Sequence, residues 1–110
     1  MPRIPPRARY ELIMAVIKAF DNETRRRIMA HLFEAGSRGM RASELAVALN
    51  EKPDTVRKAA IVLEQALLVV NEVGRDETGV YSRYTITDFG EQWFDRIGLK
   101  EGNRALPLMV

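Results

Sequence analysis

The chain contains no cysteine. That excludes disulfides, thiolate metal sites and cysteine nucleophiles together. Histidine occurs once, as His31, and has no visible ligand partners; it reads as a surface or boundary residue, not a metal site. There is no phosphate loop, no dinucleotide fingerprint and no nucleophile–base pair. Carboxylates do occur in pairs, but at surface-like positions where solvated charge accounts for them. An enzyme is therefore not expected, nor any cofactor. Long apolar runs are missing too: none exceeds six residues, against the ~20 that cross a bilayer. The opening MPRIPPRARY lacks the apolar middle section of a signal peptide. The expectation is a cytoplasmic protein with no membrane partner, in which the Asn22-Glu23-Thr24 sequon is a chance match.

What remains is a chain of 110 residues, enough for one small domain. Its 46% hydrophobic and 29% charged content is an ordinary globular mix. The net charge is only +2, unevenly spread. Residues 1–70 hold twelve basic and eight acidic side chains, residues 71–110 five and seven. A basic front part fits a nucleic-acid partner.

The chain is organised around Lys52 to Val70. Pro53 suits a first helical position, where its missing N–H is no loss, and Asp54 suits the positive end of the helix dipole. Val56, Ala60, Leu63 and Leu67 recur at helical spacing and predict a core face. Lys52, Thr55, Arg57, Lys58 and Ile61 then form a polar, basic outer face. Leu68, Val69 and Val70 are better strand formers. A helix over 53–66 running into a strand is the layout of a DNA-reading helix followed by a wing. A surface helix with a solvated basic face is the plainer alternative.

Residues 1–9, with three prolines and three arginines, predict a flexible basic arm. It is either a DNA-contacting arm or a disordered end. Tyr10 to Phe20 predicts a first helix with Leu12, Ile13, Val16, Ile17 and Phe20 on a wide apolar side, suited to packing on a second copy. Asp21-Asn22 caps a second helix to Ala35, with Ile28, Met29, Leu32 and Phe33 inward. Arg25, Arg26 and Arg27 point about 100° apart on such a helix and read as a solvated or ion-paired edge. After a turn at Gly36–Gly39, Met40-Arg41 is a candidate short strand. Ala42 to Leu49 predicts a third helix, and its tight connection to the next gives a helix-turn-helix.

A wing over 68–87 follows: a strand to Val73, a turn over Gly74–Gly79, and a return strand with Tyr84 and Ile86 inward. Arg75 and Arg83 are its candidate phosphate contacts, opposed by the acids Asp76 and Glu77. Asp88 is expected to cap a last helix bearing Phe89, Trp93, Phe94 and Ile97, ended by Gly98. The domain spans 10–98 and an irregular tail occupies 99–110.

Three stretches carry a family resemblance. FDNETRRRIMAHL (Phe20 to Leu32), SELAVALNEKPDTVRKAAIVLEQALLV (Ser43 to Val69) and SRYTITDFG (Ser82 to Gly90) resemble, in order and spacing, ArsR-type winged-helix transcriptional regulators, with a wider kinship to the MarR type. From the first to the last they reach over residues 20–90, about two thirds of the chain. The resemblance implies a mainly α fold with a two-stranded antiparallel wing (α-α-α-α-β-β-α), dimerised through its first and last helices. It also implies sequence-specific binding to double-stranded DNA. Metal sensing is not implied. The third helix lacks the family's cysteine pair, and the last helix has Asp88, Glu91 and Asp95 without a histidine. Lys52 stands where the family places a capping Ser, and Leu67 where it turns with Gly. The expected DNA-binding residues are Lys52, Pro53, Thr55, Arg57, Lys58, Ile61, Arg75 and Arg83. The expected homodimer interface is Leu12, Ile13, Val16, Ile17, Trp93, Phe94 and Ile97. Alternatives are a winged-helix protein-interaction module of a transcription or replication assembly and a chromatin protein indifferent to sequence. The operator and any small-molecule effector are not legible in these residues.

Overall fold

The computed structural model describes residues 6–97. Five helices and a small sheet follow one another as α1 (Pro6–Phe20), α2 (Glu23–Ala35), a 3-10 turn (Gly36–Arg38), β1 (Met40–Arg41), α3 (Ala42–Leu49), α4 (Pro53–Gln65), β2 (Val69–Asp76), β3 (Gly79–Ile86) and α5 (Asp88–Arg96). Helix α2 is central and packs on α1, α3, α4 and α5. Its Ile28, Met29 and Leu32 are fully buried, beside Leu45 and Leu49 of α3 and Val56, Ala60 and Leu63 of α4. These are the positions that helical spacing put inward, because one stripe of each helix must leave water for the domain to close.

The sheet is antiparallel in the order β1-β3-β2. The two-stranded wing thus gains a third, two-residue strand, with Met40 opposite Tyr84 and Arg41 opposite Arg83. Tyr84 and Ile86 are buried, as alternation predicts.

Several boundaries differ from the sequence expectation. Helix α1 begins at Pro6, so residues 6–9 of the expected arm form its first turn. Residues 1–5, Gly98 and the tail over 99–110 lie outside the described residues. Strand β2 runs on to Asp76, and Glu77-Thr78 alone connect it to Gly79. Helix α4 stops at Gln65, and Leu67 turns the chain with φ 63. Leu67 is therefore exposed instead of facing the core, while its neighbours Ala66 and Leu68 are buried.

The caps show how the elements are joined. Asn22 accepts the Arg25 N–H at 2.9 Å. The cap of α5 is Thr87, not Asp88: its Oγ1 accepts the Gly90 N–H at 2.9 Å and donates to the Leu67 carbonyl at 2.7 Å. Gly90 lies against the Leu68 carbonyl, where any Cβ would collide with backbone. Arg25, Arg26 and Arg27, expected as a solvated or ion-paired edge, are half-buried and donate to backbone carbonyls. Arg25 donates to the carbonyls of Ala19 (2.8 Å) and Lys18 (2.9 Å), and Arg26 to that of Phe20 (2.7 Å). Arg27 donates to the Leu49 carbonyl at 3.1 Å. The three guanidinium groups thus satisfy carbonyls that the ends of α1 and α3 leave without helical partners.

Candidate nucleic-acid interface

Helix α4 has two unlike faces. Val56, Ala59, Ala60 and Leu63 are buried against the domain. On the other side Asp54, Arg57, Lys58 and Ile61 are exposed at positions i, i+3, i+4 and i+7, one stripe of a helix, with Thr55 beside them. Pro53 occupies the first turn as its fixed φ favours. Lys52 is the N-cap residue in extended conformation, with its side chain exposed and making no capping bond. Arg57 Nη1 donates to Asp54 Oδ1 at 3.1 Å, both side chains mostly in solvent. Such a pair is worth only ~0–1 kcal/mol, so an arriving phosphate or base edge can displace the acid cheaply.

The wing places its two predicted cations differently. Arg75 is exposed, opposite Val80 near the tip. Arg83 is half-buried and turns its Nη1 to the Arg38 carbonyl at 3.2 Å. The tip acid Asp76 is engaged, its Oδ2 receiving Arg41 Nη1 at 2.8 Å. Arg41 did not stand out in the sequence, because a single arginine in a two-residue strand carries no periodic signal. With Ser43, Arg57, Thr78, Tyr81 and Ser82 it lines a cavity of about 190 Å³ between the start of α3, α4 and the wing.

The expected dimer residues divide by burial. Val16 and Phe94 lie in the core of the chain itself, 1% and 0% exposed. Ile13 and Ile17 are exposed, while Leu12, Trp93 and Ile97 are half-buried. Tyr10 and Met14, which sequence reasoning passed over, are also exposed and complete an apolar stripe 10-13-14-17 along α1. The same i, i+3, i+4, i+7 spacing used for α4 would have found it. Between α1 and α5 lies an apolar cleft of about 300 Å³ lined by Val16, Ile17, Phe20, Asp21, Trp93 and Ile97. Among the described residues no helix is long and apolar enough to cross a membrane.

No family model and no curated protein matches the chain. Among solved structures it is similar to HlyU from Vibrio cholerae N16961, with a TM-score of 0.62 at 18% identity over 80% of this chain and 89% of that one. It is similar also to the AntR antimony-specific transcriptional repressor, with a TM-score of 0.62 at 23% identity over 90% of this chain and 83% of that one. The helix order, the tight α3–α4 connection and the β2–β3 hairpin, together with these likenesses, give the chain a winged helix-turn-helix fold.

Proposed function

We propose that the chain is a transcriptional regulator of the ArsR type that binds double-stranded DNA sequence-specifically as a homodimer. The observation that carries this reading is the exposed stripe of Arg57 and Lys58 on a helix whose opposite face is buried, with Lys52 exposed at its N-cap and Arg75 exposed on the wing. A helix fits the major groove, where Arg reads guanine O6 and N7 and Thr and Lys reach bases or phosphates. Two copies present their α4 helices to successive grooves about 34–36 Å apart. AntR, by its description an antimony-specific repressor, shares the fold and supports the regulator class by analogy. Its ligand does not transfer: this chain has no cysteine, and soft ions of that kind call for thiolate ligands.

The test is anisotropy on a duplex selected from a random pool by the purified protein. If each protomer neutralises three to five phosphates, log K against log[salt] has a slope of about −5 to −9 for the dimer. A dimer that binds no duplex at micromolar concentration and low salt overturns the reading in favour of a protein-interaction module. Equal affinity for selected and random duplexes points to a chromatin protein.

The dimer itself has a separate test. The 10-13-14-17 stripe and the α1–α5 cleft are continuous through Ile17, which is 53% exposed. Ile17→Asp is expected to leave the protomer folded and shift sedimentation from dimer to monomer, because an unpaired charge is costly in an apolar interface. A wild-type monomer at tens of micromolar, or a variant that remains dimeric, removes this face from the proposal.

A further inference from the structure

The wing projects from the domain with little beneath it. Val73 and Val80, in its outer half, are 67% and 64% exposed, and β1 reaches β3 only at residues 83 and 84. A two-stranded hairpin without a packed face is marginal. Arg41 reaches the tip from the start of α3. Its backbone N–H donates to Glu44 Oε1 at 2.8 Å, which joins it to the first turn of that helix. Its guanidinium lies 3.7 Å from the centroid of the Tyr81 ring and donates to Asp76 at 2.8 Å. Gly74 sits opposite Tyr81 in the ladder, and any Cβ there would meet the ring. The glycine that resembled a turn signal is therefore the space into which the aromatic ring folds. The other oxygen of Asp76 receives the Thr78 N–H (2.9 Å) and hydroxyl (2.6 Å), closing the tip. One carboxylate thus both closes the turn and ties it to the helix-turn-helix.

We propose that Arg41, with Asp76 and Tyr81, latches the wing at a set angle to α4, and that Arg41 is a positioning residue for DNA binding. The proposal rests on the DNA-binding reading above. Arg75 adjoins Asp76, so the latch decides whether the wing cation meets the same duplex as Arg57 and Lys58. The latch stays charged through the working pH range. The Thr78 hydroxyl first, and Arg41 second, hold the Asp76 carboxyl at about 2. A depressed acid contributes fully above its unfolded value near 4 and loses its contribution only as pH falls toward 2.

The alternative is that Asp76 is merely an acid beside a phosphate path, and the two accounts predict opposite signs. Under the latch, Asp76→Asn in the full chain speeds hydrogen exchange across residues 72–83 while α2 and α5 stay protected. It also weakens DNA binding about tenfold despite removing a negative charge. The log–log salt slope of the dimer falls by about 1.8, one phosphate contact per protomer. Tyr81→Phe keeps the ring and behaves as wild type; Tyr81→Ala follows Asp76→Asn. Tighter DNA binding by Asp76→Asn with wild-type exchange overturns the latch. If the wild type binds no duplex, the DNA reading falls and exchange alone decides the latch. Faster wing exchange in Asp76→Asn then upholds it, and unchanged exchange overturns it.

Discussion

Arg57→Ala combined with Lys58→Ala is expected to reduce affinity for the selected duplex by about 100-fold or more, with almost no change in melting temperature. The two halves of that expectation have separate causes. Both side chains are exposed, and the one ion pair lost, Arg57 with Asp54, is a surface pair. Such pairs contribute under ~1 kcal/mol, and alanine is the best helix former, so the fold has almost nothing to lose. In the proposed dimer on DNA the same groups would act twice, once per copy. A bidentate Arg–guanine contact is worth about 1–3 kcal/mol of discrimination, and each lysine–phosphate contact about 0.9 of salt slope. Specific affinity therefore collapses toward the non-specific level and the salt slope flattens. Anisotropy at two salt concentrations, with a thermal melt alongside, measures all three. A folded variant that binds as tightly as wild type would remove α4 as the reading element.

Where one face of a helix is buried and the other wet, the sequence was legible. Helices α2, α3 and α4 are of this kind: Ile28/Leu32, Leu45/Leu49 and Val56/Leu63 are buried at the spacing that predicted them. The basic outer face of α4 was legible for the same reason. Misjudgements arose where a local signal had two meanings. Pro6 lies in the first turn described for α1, but its neighbouring prolines and arginines resemble an extended arm. Gly74 resembles a turn residue, yet its missing side chain serves a ring on the next strand. Thr87 and Asp88 are both capping types, and only the register of α5 chooses between them. Val16 and Ile17 are adjacent and equally apolar, but 100° of helix separates a core residue from a surface one. Long-range bonds left no trace at all. Nothing in a run of three arginines announces that Arg27 serves the end of a helix 22 residues away, or that Arg41 meets an acid 35 residues away.

Phe94→Ala is expected to be the most damaging single truncation, lowering stability by about 3–5 kcal/mol. For a domain of this size that is a fall in melting temperature of roughly 15–30 °C, and a large share of the ~5–15 kcal/mol that holds such domains folded. The ring is fully buried and packs at 4.9 Å centroid distance on Phe33 of α2. The cost sits at the upper end because the void cannot close. Helix α5 is pinned at its start by the Thr87 bonds to the Leu67 and Leu68 carbonyls and by the contact of Gly90 with Leu68. A helix held there cannot slide inward to fill the space. The same variant separates the interface role that the sequence suggested for Phe94 from the core role that its burial indicates. As a core residue, it melts at a temperature that falls equally at all protein concentrations. As an interface residue, its loss is relieved by raising the concentration, since mass action favours the dimer. Trp93 and Ile17, which line the outer cleft, are expected to follow the second pattern. A concentration-dependent melt for Phe94→Ala would move the boundary between core and interface, and with it the surface that would set the spacing of the two α4 helices in the proposed dimer.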